Sequence, residues 1–401
     1  MIDASRSTLS HGDPDAVTGR QSPGRWPKAA PDDPPAAGPL VGLRVLELAT
    51  VLAGPGAGRL LADLGADVVK VEHPHRLDPT RAMGFPAPDG GTSLLWRITS
   101  RNKVLRTADL KTGEGLAEVR AWAAEADVLI ENFRPGTLER LGLAPEVLWE
   151  DNPTLVVTRV TGFGQHGPYA GRPGFATIAE AMSGFADING APDGPPILPP
   201  IALTDELTAV VAAYATMAAV HAGVGQVVDV SLLDSLFSFM GHNWAAYVAD
   251  GTQQPRMGSQ LPYSVPRNVY ESADGHWLAL SASADTVAAR VAALVGVGDD
   301  ERLSTFAGRV EHRDDLDAAV AAFIALRTRD EVLLAFRDAD AAIAPIYSMA
   351  DVAADPHFAE RESTVTVDGI GMPGMLARFS QTPGRVRWAG RDGSADRTQP
   401  Q

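Results

Sequence analysis

The 401-residue chain contains no cysteine. That removes disulfides, thiolate nucleophiles and cysteine-ligated metals together, and it fits a cytoplasmic protein. Basic charge is scarce as well: 34 Lys and Arg stand against 50 Asp and Glu, a formal net charge of −16. Nucleic-acid binding rests on the opposite balance, so no nucleic-acid partner is expected. An anionic small ligand would need a local basic pocket to overcome this field. No uninterrupted apolar run reaches the roughly 18 residues of a membrane span, so no membrane association is expected. The N-terminal "MIDASRSTLSHGDPDAVTGR" also lacks the apolar stretch of a secretory signal. Neither a G-x-S-x-G elbow nor a P-loop ending in GK[ST] occurs. His73 and His75 stand two apart, with no third ligand near them in sequence, so no metal site is expected.

What is present is 45% hydrophobic and only 21% charged residues, enough for a sizeable core in two domains or one large α/β body. Residues 1–38 are rich in Pro, Asp, Ser and Gly, lack periodicity, and read as a disordered tail, with order expected from about Leu40. "LRVLELA" (43–49) and "DVVKVE" (67–72) have the pattern of buried strands, and "GAGRLLADLGA" (56–66) between them has helical spacing. Together they predict a β-α-β opening. Further strands are expected at "DVLIENF" (127–133) and "TLVVTRVTGFG" (154–164), with a helix at 115–126 and another from Thr204 to about His221. A short strand and one long amphipathic helix are expected over 225–251. The composition then shifts. Residues 252–283 read as loop and strands around an "ADG" hairpin turn, 285–340 as mostly helical, and the chain past Arg385 as a polar, loose tail.

Four groups of residues are candidates for chemistry, and each has a plainer account. "ELATVLAGPGAG" before "VVKVE" looks like a dinucleotide fingerprint, with Glu72 placed for a ribose. However, Arg59 stands where the third glycine belongs, and Pro55 removes a backbone donor, so a glycine turn that packs helix on strand is the better account. "RITSRNKVLRTADLK" (97–111) holds five basic residues and one acid: either a phosphate-binding island or a solvated loop. "ENFRPGTLERLGL" adds Arg134 and Arg140 just beyond a strand end, where open α/β sheets bind ligands. Asp205 opens a long apolar helix after Thr204, which is a good N-cap. An acid in the first turn meets the helix dipole favourably, so helix starting explains Asp205 without any chemistry.

The order of segments decides between these accounts. "GLRVLELATVLAGPGAGRLLADLGADVVKVEHP", "RNKVLRTADLKTGEG", "ADVLIENFRPGTLERLGL", "NPTLVVTRVTGFGQHGPYAGRPGF", "GVGQVVDVSLLDSL" and "APIYSMADVAADPHFAER" follow one another over about residues 40–385. In this the chain resembles the class III CoA-transferase family, which also contains formyl-CoA transferases and α-methylacyl-CoA racemases. The resemblance implies an α/β fold: a Rossmann-like large domain built from both chain ends plus a smaller α+β domain, in an interlocked homodimer. Residues 39–251 would supply the N-terminal part of the large domain, 252–340 the small domain, and 341–401 the C-terminal return segment and tail. The resemblance further implies an enzyme that moves CoA from an acyl-CoA to a carboxylic acid acceptor, with CoA as substrate and no permanently bound cofactor. Asp205 matches the family's nucleophile, which forms an acyl-aspartyl anhydride and then an aspartyl-CoA thioester. Thr50, Val51, Ala53, Asn132 and Phe133 match positions beside CoA, and Lys111 and Arg140 match basic positions near its phosphates.

Three departures from the family pattern bear on function. Racemases of the family carry a histidine where this chain has Phe175, and phenylalanine moves no proton. Ala176 replaces an acid found in many members. Together with Leu52, which replaces a glutamine of the formyl-CoA transferases, they point to a more apolar acyl group. The usual C-terminal motif is replaced by "VRWAGRDGSADRTQPQ", which leaves the docking of the C-terminus open. Two alternatives are therefore carried: an isomerase- or racemase-like member, and a catalytically silent CoA-binding scaffold.

Overall fold

The structure, a computed structural model, describes residues 26–393. Most of the expected N-terminal tail lies outside the described residues. The N-terminal part of the chain runs β1 (Arg44–Glu47), α1 (Ala53–Asp63), β2 (Asp67–Glu72), α2 (Leu94–Thr99), β3 (Val104–Thr107), α3 (Gly113–Glu125), β4 (Val128–Glu131), α4 (Thr137–Arg140), α5 (Pro145–Asp151) and β5 (Val156–Thr161). It continues through α6 (Ala176–Met182), α7 (Phe185–Ile188), α8 (Leu203–Ala222) and β6 (Val227–Ser231). The six strands pair in parallel in the order β3-β2-β1-β4-β5-β6. Nearly every residue of β1, β2, β4 and β5 is buried, as expected for a parallel sheet covered on both faces. The strand order reverses between β1 and β4, and at such a switch point the loops leaving the carboxyl ends diverge and leave a crevice.

The chain divides into two units. Among the described residues, unit 1 comprises 26–174, 205–232 and 365–393, and unit 2 comprises 175–204 and 233–364. Both chain ends thus serve unit 1, while unit 2 begins well before residue 252. In unit 2, β7 (Arg267–Glu271), β8 (Trp277–Ser281) and β9 (Ile343–Pro345) form an antiparallel sheet. Leu278, Val291, Leu316, Ile324 and Phe336 build its separate core. The expected long helix after β6 is broken: Leu232–Phe237 and Gly241–Asp250 are separated by a 3-10 turn over Ser238–Met240, where the Ser238 hydroxyl bonds back to the Ser235 carbonyl.

The structure corrects the reading of both chain ends. Trp26 is buried in the unit 1 core, and Arg385 reaches the Pro35 carbonyl, so the packed chain starts before Leu40. Residues 385–392 are docked, not loose. Trp388 is 2% exposed and donates to the Lys103 carbonyl; Asn102 Oδ1 accepts from Arg387 N; Gly390 N bonds to the Arg97 carbonyl; Arg391 pairs with Asp33. The polar composition of this segment hid its function, because its arginines serve as anchors to fixed acids and carbonyls.

Among the described residues α8 alone is long and apolar enough to cross a membrane. Its sheet-facing side is spent on packing, with Ala209 opposite Gly56 and the Thr216 hydroxyl 2.6 Å from that of Thr158. Thr204 lies inside α8 rather than before it; its buried hydroxyl donates to Glu180 Oε1 at 2.9 Å.

Candidate active site

A cavity of about 440 Å³ lies in unit 1 at the carboxyl ends of β1 to β4. Leu48, Val71, Ala108, Leu110, Phe133 and Leu141 give it apolar walls, and Thr50, His73, Arg76, Lys111 and Thr137 supply polar groups beside three acids, Glu72, Asp78 and Asp109. Each wall follows from the strand pattern: residues alternate across the sheet, so Leu48 and Val71 emerge on one face as their strands end. Thr50, Lys111 and Phe133, expected from the sequence, border this cavity. Asn132 does not. Its side chain accepts from Thr50 N at 2.9 Å and donates to Thr50 O at 2.7 Å, locking the turn that carries Thr50. Arg140 also lies outside the wall, but donates to Thr137 Oγ1 at 2.7 Å. Ala53 is buried as the first residue of α1. Val51 is partly exposed at φ 69°, and its amide is held by Asp78.

The basic island at 97–111 separates into different roles. Arg101 is fully buried against Asp63 at 2.6 Å, Arg97 pairs with Asp89 and Asp392, and Arg106 donates to a backbone carbonyl. Lys103 is buried beneath α1, where its ammonium lies 2.7 Å from Glu47 and donates to Pro55 O at 2.6 Å. Burial lowers the Lys103 ammonium to about 8, against the pull of Glu47. Of the five, Lys111 borders the cavity. The clustering was visible in the sequence, but the direction of each side chain was not. Arg76 and His73 were missed as cavity residues because no charge run marks them.

The glycines of "GPGAG" are packing residues. A Cβ on Gly54 would come 2.5 Å from Ala49 Cβ, one on Gly56 2.7 Å from Ala209 Cβ, and one on Gly58 2.0 Å from Glu47 Oε2. The turn therefore brings α1 down onto the sheet, onto α8 and over a buried ion cluster. Lys70 completes that cluster, lying 3.1 Å from Glu47 and 3.0 Å from Asp78.

Asp205 stands in the first turn of α8 and is partly exposed. Its placement follows from topology. α8 crosses from β5 to the parallel strand β6, so its N-terminus lies at the carboxyl edge of the sheet. From Thr216, level with Thr158 in the middle of β5, the helix rises about 16 Å to Asp205, well past the strand ends. Asp205 and Ala209 share one helix face, and Ala209 abuts Gly56 of α1. Glu206 is tied to Arg59 of α1 at 2.9 Å. One acid of the pair thus anchors two helices, and the other heads α8 at the carboxyl edge of the sheet, outside the residues that line the cavity.

A doubly wound parallel sheet, with a ligand-sized cavity at its carboxyl edge and an acid leading a crossover helix, defines an α/β enzyme of the switch-point class. The sequence profile of CoA-transferase family III matches residues 40–391. The chain belongs to that family and is an acyl-CoA:carboxylate CoA-transferase. It is 40% identical over 364 residues to a succinyl-CoA–D-citramalate CoA-transferase from Chloroflexus aurantiacus, covering 88% of this chain and 90% of the relative. It is 39% identical over 362 residues to a succinate–glutarate CoA-transferase from Agrobacterium fabrum, covering 86% and 90%. Its fold matches the crystal structure of a CAIB/BAIF family protein from Brucella suis with a TM-score of 0.78 and 34% identity, covering 88% of this chain and 96% of that one.

Proposed function

We propose that the protein transfers CoA from a short dicarboxylic acyl-CoA to a dicarboxylic acid, with Asp205 as nucleophile. The observation that carries this is the position of Asp205 at the head of α8, at the same sheet edge and in the same unit as the cavity. An Asp205 oxygen attacks the thioester carbonyl, the C–S bond breaks, and CoA leaves as thiolate with an acyl-aspartyl anhydride behind it. The thiolate attacks the aspartyl carbonyl, which gives aspartyl-CoA and frees the donor acid. The acceptor carboxylate then attacks aspartyl-CoA to form a second anhydride, and the thiolate returns to the acceptor's carbonyl, regenerating Asp205. Electrons and protons balance without an oxidant or a metal. A carboxylate is a modest nucleophile, so placement of the thioester carries much of the rate.

The substrate class is taken from the relatives, whose names specify succinyl-CoA, citramalate and glutarate. This replaces the apolar acyl group inferred from Leu52, Phe175 and Ala176. Leu52 is 8% exposed, so its apolar character is accounted for by packing. The CoA portion is assigned to the unit 1 cavity, with the pantetheine past Thr50 and Phe133 and the phosphates toward Lys111 and Arg76. Lys111→Ala should raise KM for succinyl-CoA about five- to tenfold, an effect that weakens with added salt, with kcat unchanged. A salt-independent KM would remove Lys111 from the phosphate site.

A homodimer is part of the same reading. Phe239, Trp244, Tyr247 and Val248 of unit 2 are each at least half exposed, an apolar patch suited to cover by a second copy. A sedimentation coefficient for a monomer at micromolar concentration would contradict it. The silent-scaffold alternative loses one motive, since the C-terminal segment is docked despite its changed motif.

The direct test is intact-protein mass after mixing with succinyl-CoA, with and without hydroxylamine. A hydroxylamine-sensitive adduct mapping to Asp205 and absent from Asp205→Ala is expected. CoA binding with no adduct from any acyl-CoA would return Asp205 to a helix-starting role.

A further inference from the structure

The turn between β1 and α1 is held by side chains from three other places in unit 1. Lys70 Nζ donates to the Ala49 carbonyl at 2.8 Å. Asn132 holds both backbone groups of Thr50. Asp78 accepts from Val51 N, with its carboxylate oxygens at 3.3 and 3.2 Å. Val51 has φ 69°, a left-handed conformation that a β-branched residue adopts only where its surroundings impose it.

We infer that Asp78 is a positioning residue for CoA transfer: it holds Val51 in the left-handed turn, and so fixes Thr50 on the cavity wall and the start of α1. This rests on the proposed use of the cavity and of Asp205.

Asp78 borders the cavity, yet its carboxylate is occupied. It is 2% exposed; Lys70 lies 3.0 Å away, and Thr80 N and Oγ1 donate to Oδ1 at 3.0 and 2.6 Å. Its own amide donates to Glu72 Oε1 at 2.9 Å, and Arg81 anchors Glu72 at 2.6 Å. Burial pushes the carboxyl up, but Lys70 and Thr80 hold it below its ordinary value. An anion on this wall repels the phosphates of CoA, so ligand attraction does not explain it. Geometry does. α1 starts two residues after Val51 and meets α8 where Gly56 faces Ala209, one turn from Asp205. A relaxed turn shifts the cavity wall and α1 relative to the acid.

The test combines steady-state transfer from succinyl-CoA to glutarate, CoA binding by calorimetry, and amide exchange over residues 49–53. Asp78→Ala should lower kcat on the order of 10²-fold, the cost of a displacement of about 1 Å, with KM for succinyl-CoA unchanged or reduced. Exchange at Val51 should speed up. Asp78→Asn keeps an acceptor for Val51 N and should retain most of kcat. Glycine accepts positive φ freely, so in a Val51→Gly background the cost of Asp78→Ala should shrink at least about tenfold. A raised KM with unchanged kcat would make Asp78 a binding residue, and an equal cost in both backgrounds would show that the turn is not what it serves. If Asp78→Ala does not fold, Asp78→Ser in the wild-type and Val51→Gly backgrounds makes the same comparison, since the shorter hydroxyl side chain does not span to Val51 N. A wild-type enzyme that transfers CoA without an Asp205 adduct would remove the nucleophile assignment, while the kcat–KM split and the exchange rate still decide Asp78.

Discussion

Asp205→Ala should lower the rate of CoA transfer by roughly 10⁴- to 10⁶-fold, as loss of a covalent nucleophile does, while CoA affinity stays within about threefold. The two roles open to Asp205 differ in size enough to be separated. An acid in a first helical turn contributes about 0.3–1 kcal/mol through the helix dipole. Glu206 would still meet that dipole in the variant and still anchor α8 to α1 through Arg59. A helix-starting role therefore predicts a small shift in the urea midpoint and nearly normal turnover. Asp205→Asn, matched in shape, should be as inactive as the alanine variant, because an amide does not attack a thioester. Single-turnover transfer, with the urea midpoint as control, settles the matter. More than about 1% residual kcat in a well-folded Asp205→Ala protein would exclude the covalent route.

Glu47→Gln should destabilise unit 1 by about 3–5 kcal/mol at pH 7. Glu47 is fully buried and faces two ammonium groups, Lys70 at 3.1 Å and Lys103 at 2.7 Å, neither of them exposed. Removing the shared anion leaves two cations close together without water. Asp78 still pairs with Lys70, so Lys103 suffers most. The loss should shrink as pH rises. Lys103 is already lowered to about 8, below the ordinary 10.5. Between those values the unfolded chain binds a proton that the native state has released, so this group's contribution to stability rises with pH. Without Glu47 the native Lys103 gives up its proton at still lower pH, and the variant's stability climbs more steeply than that of the wild type. Urea midpoints at pH 7 and pH 9, with unchanged slopes, check this. A deficit as large at pH 9 as at pH 7 would mean that the damage is in packing.

Much of the architecture was legible. Strands and helices of unit 1 carry their own signatures: near-continuous apolar runs for parallel strands covered on both faces, and glycine stops for helices. The segment order was enough to place Asp205 and the cavity residues Thr50, Lys111 and Phe133 as candidates. The small unit's hairpin was announced by its "ADG" turn, and β7 and β8 pair around it. The broken helix after β6 was less visible, because apolar periodicity continues through the 3-10 turn.

Which residues were available could be read from the chain alone: two adjacent acids heading an apolar helix, a glycine-rich turn, a cluster of basic residues, and no cysteine. Periodicity and segment order are local or one-dimensional properties, and the chain states them outright. The use of each residue emerged in the folded chain. Folding turned Arg101 and Lys103 inward to buried acids and left Lys111 on the cavity wall. It set Asn132 and Asp78 to hold a backbone turn, and it docked the polar segment around Trp388. These choices depend on which partner lies within about 3 Å, often hundreds of residues away in sequence, and a side chain's charge does not encode that.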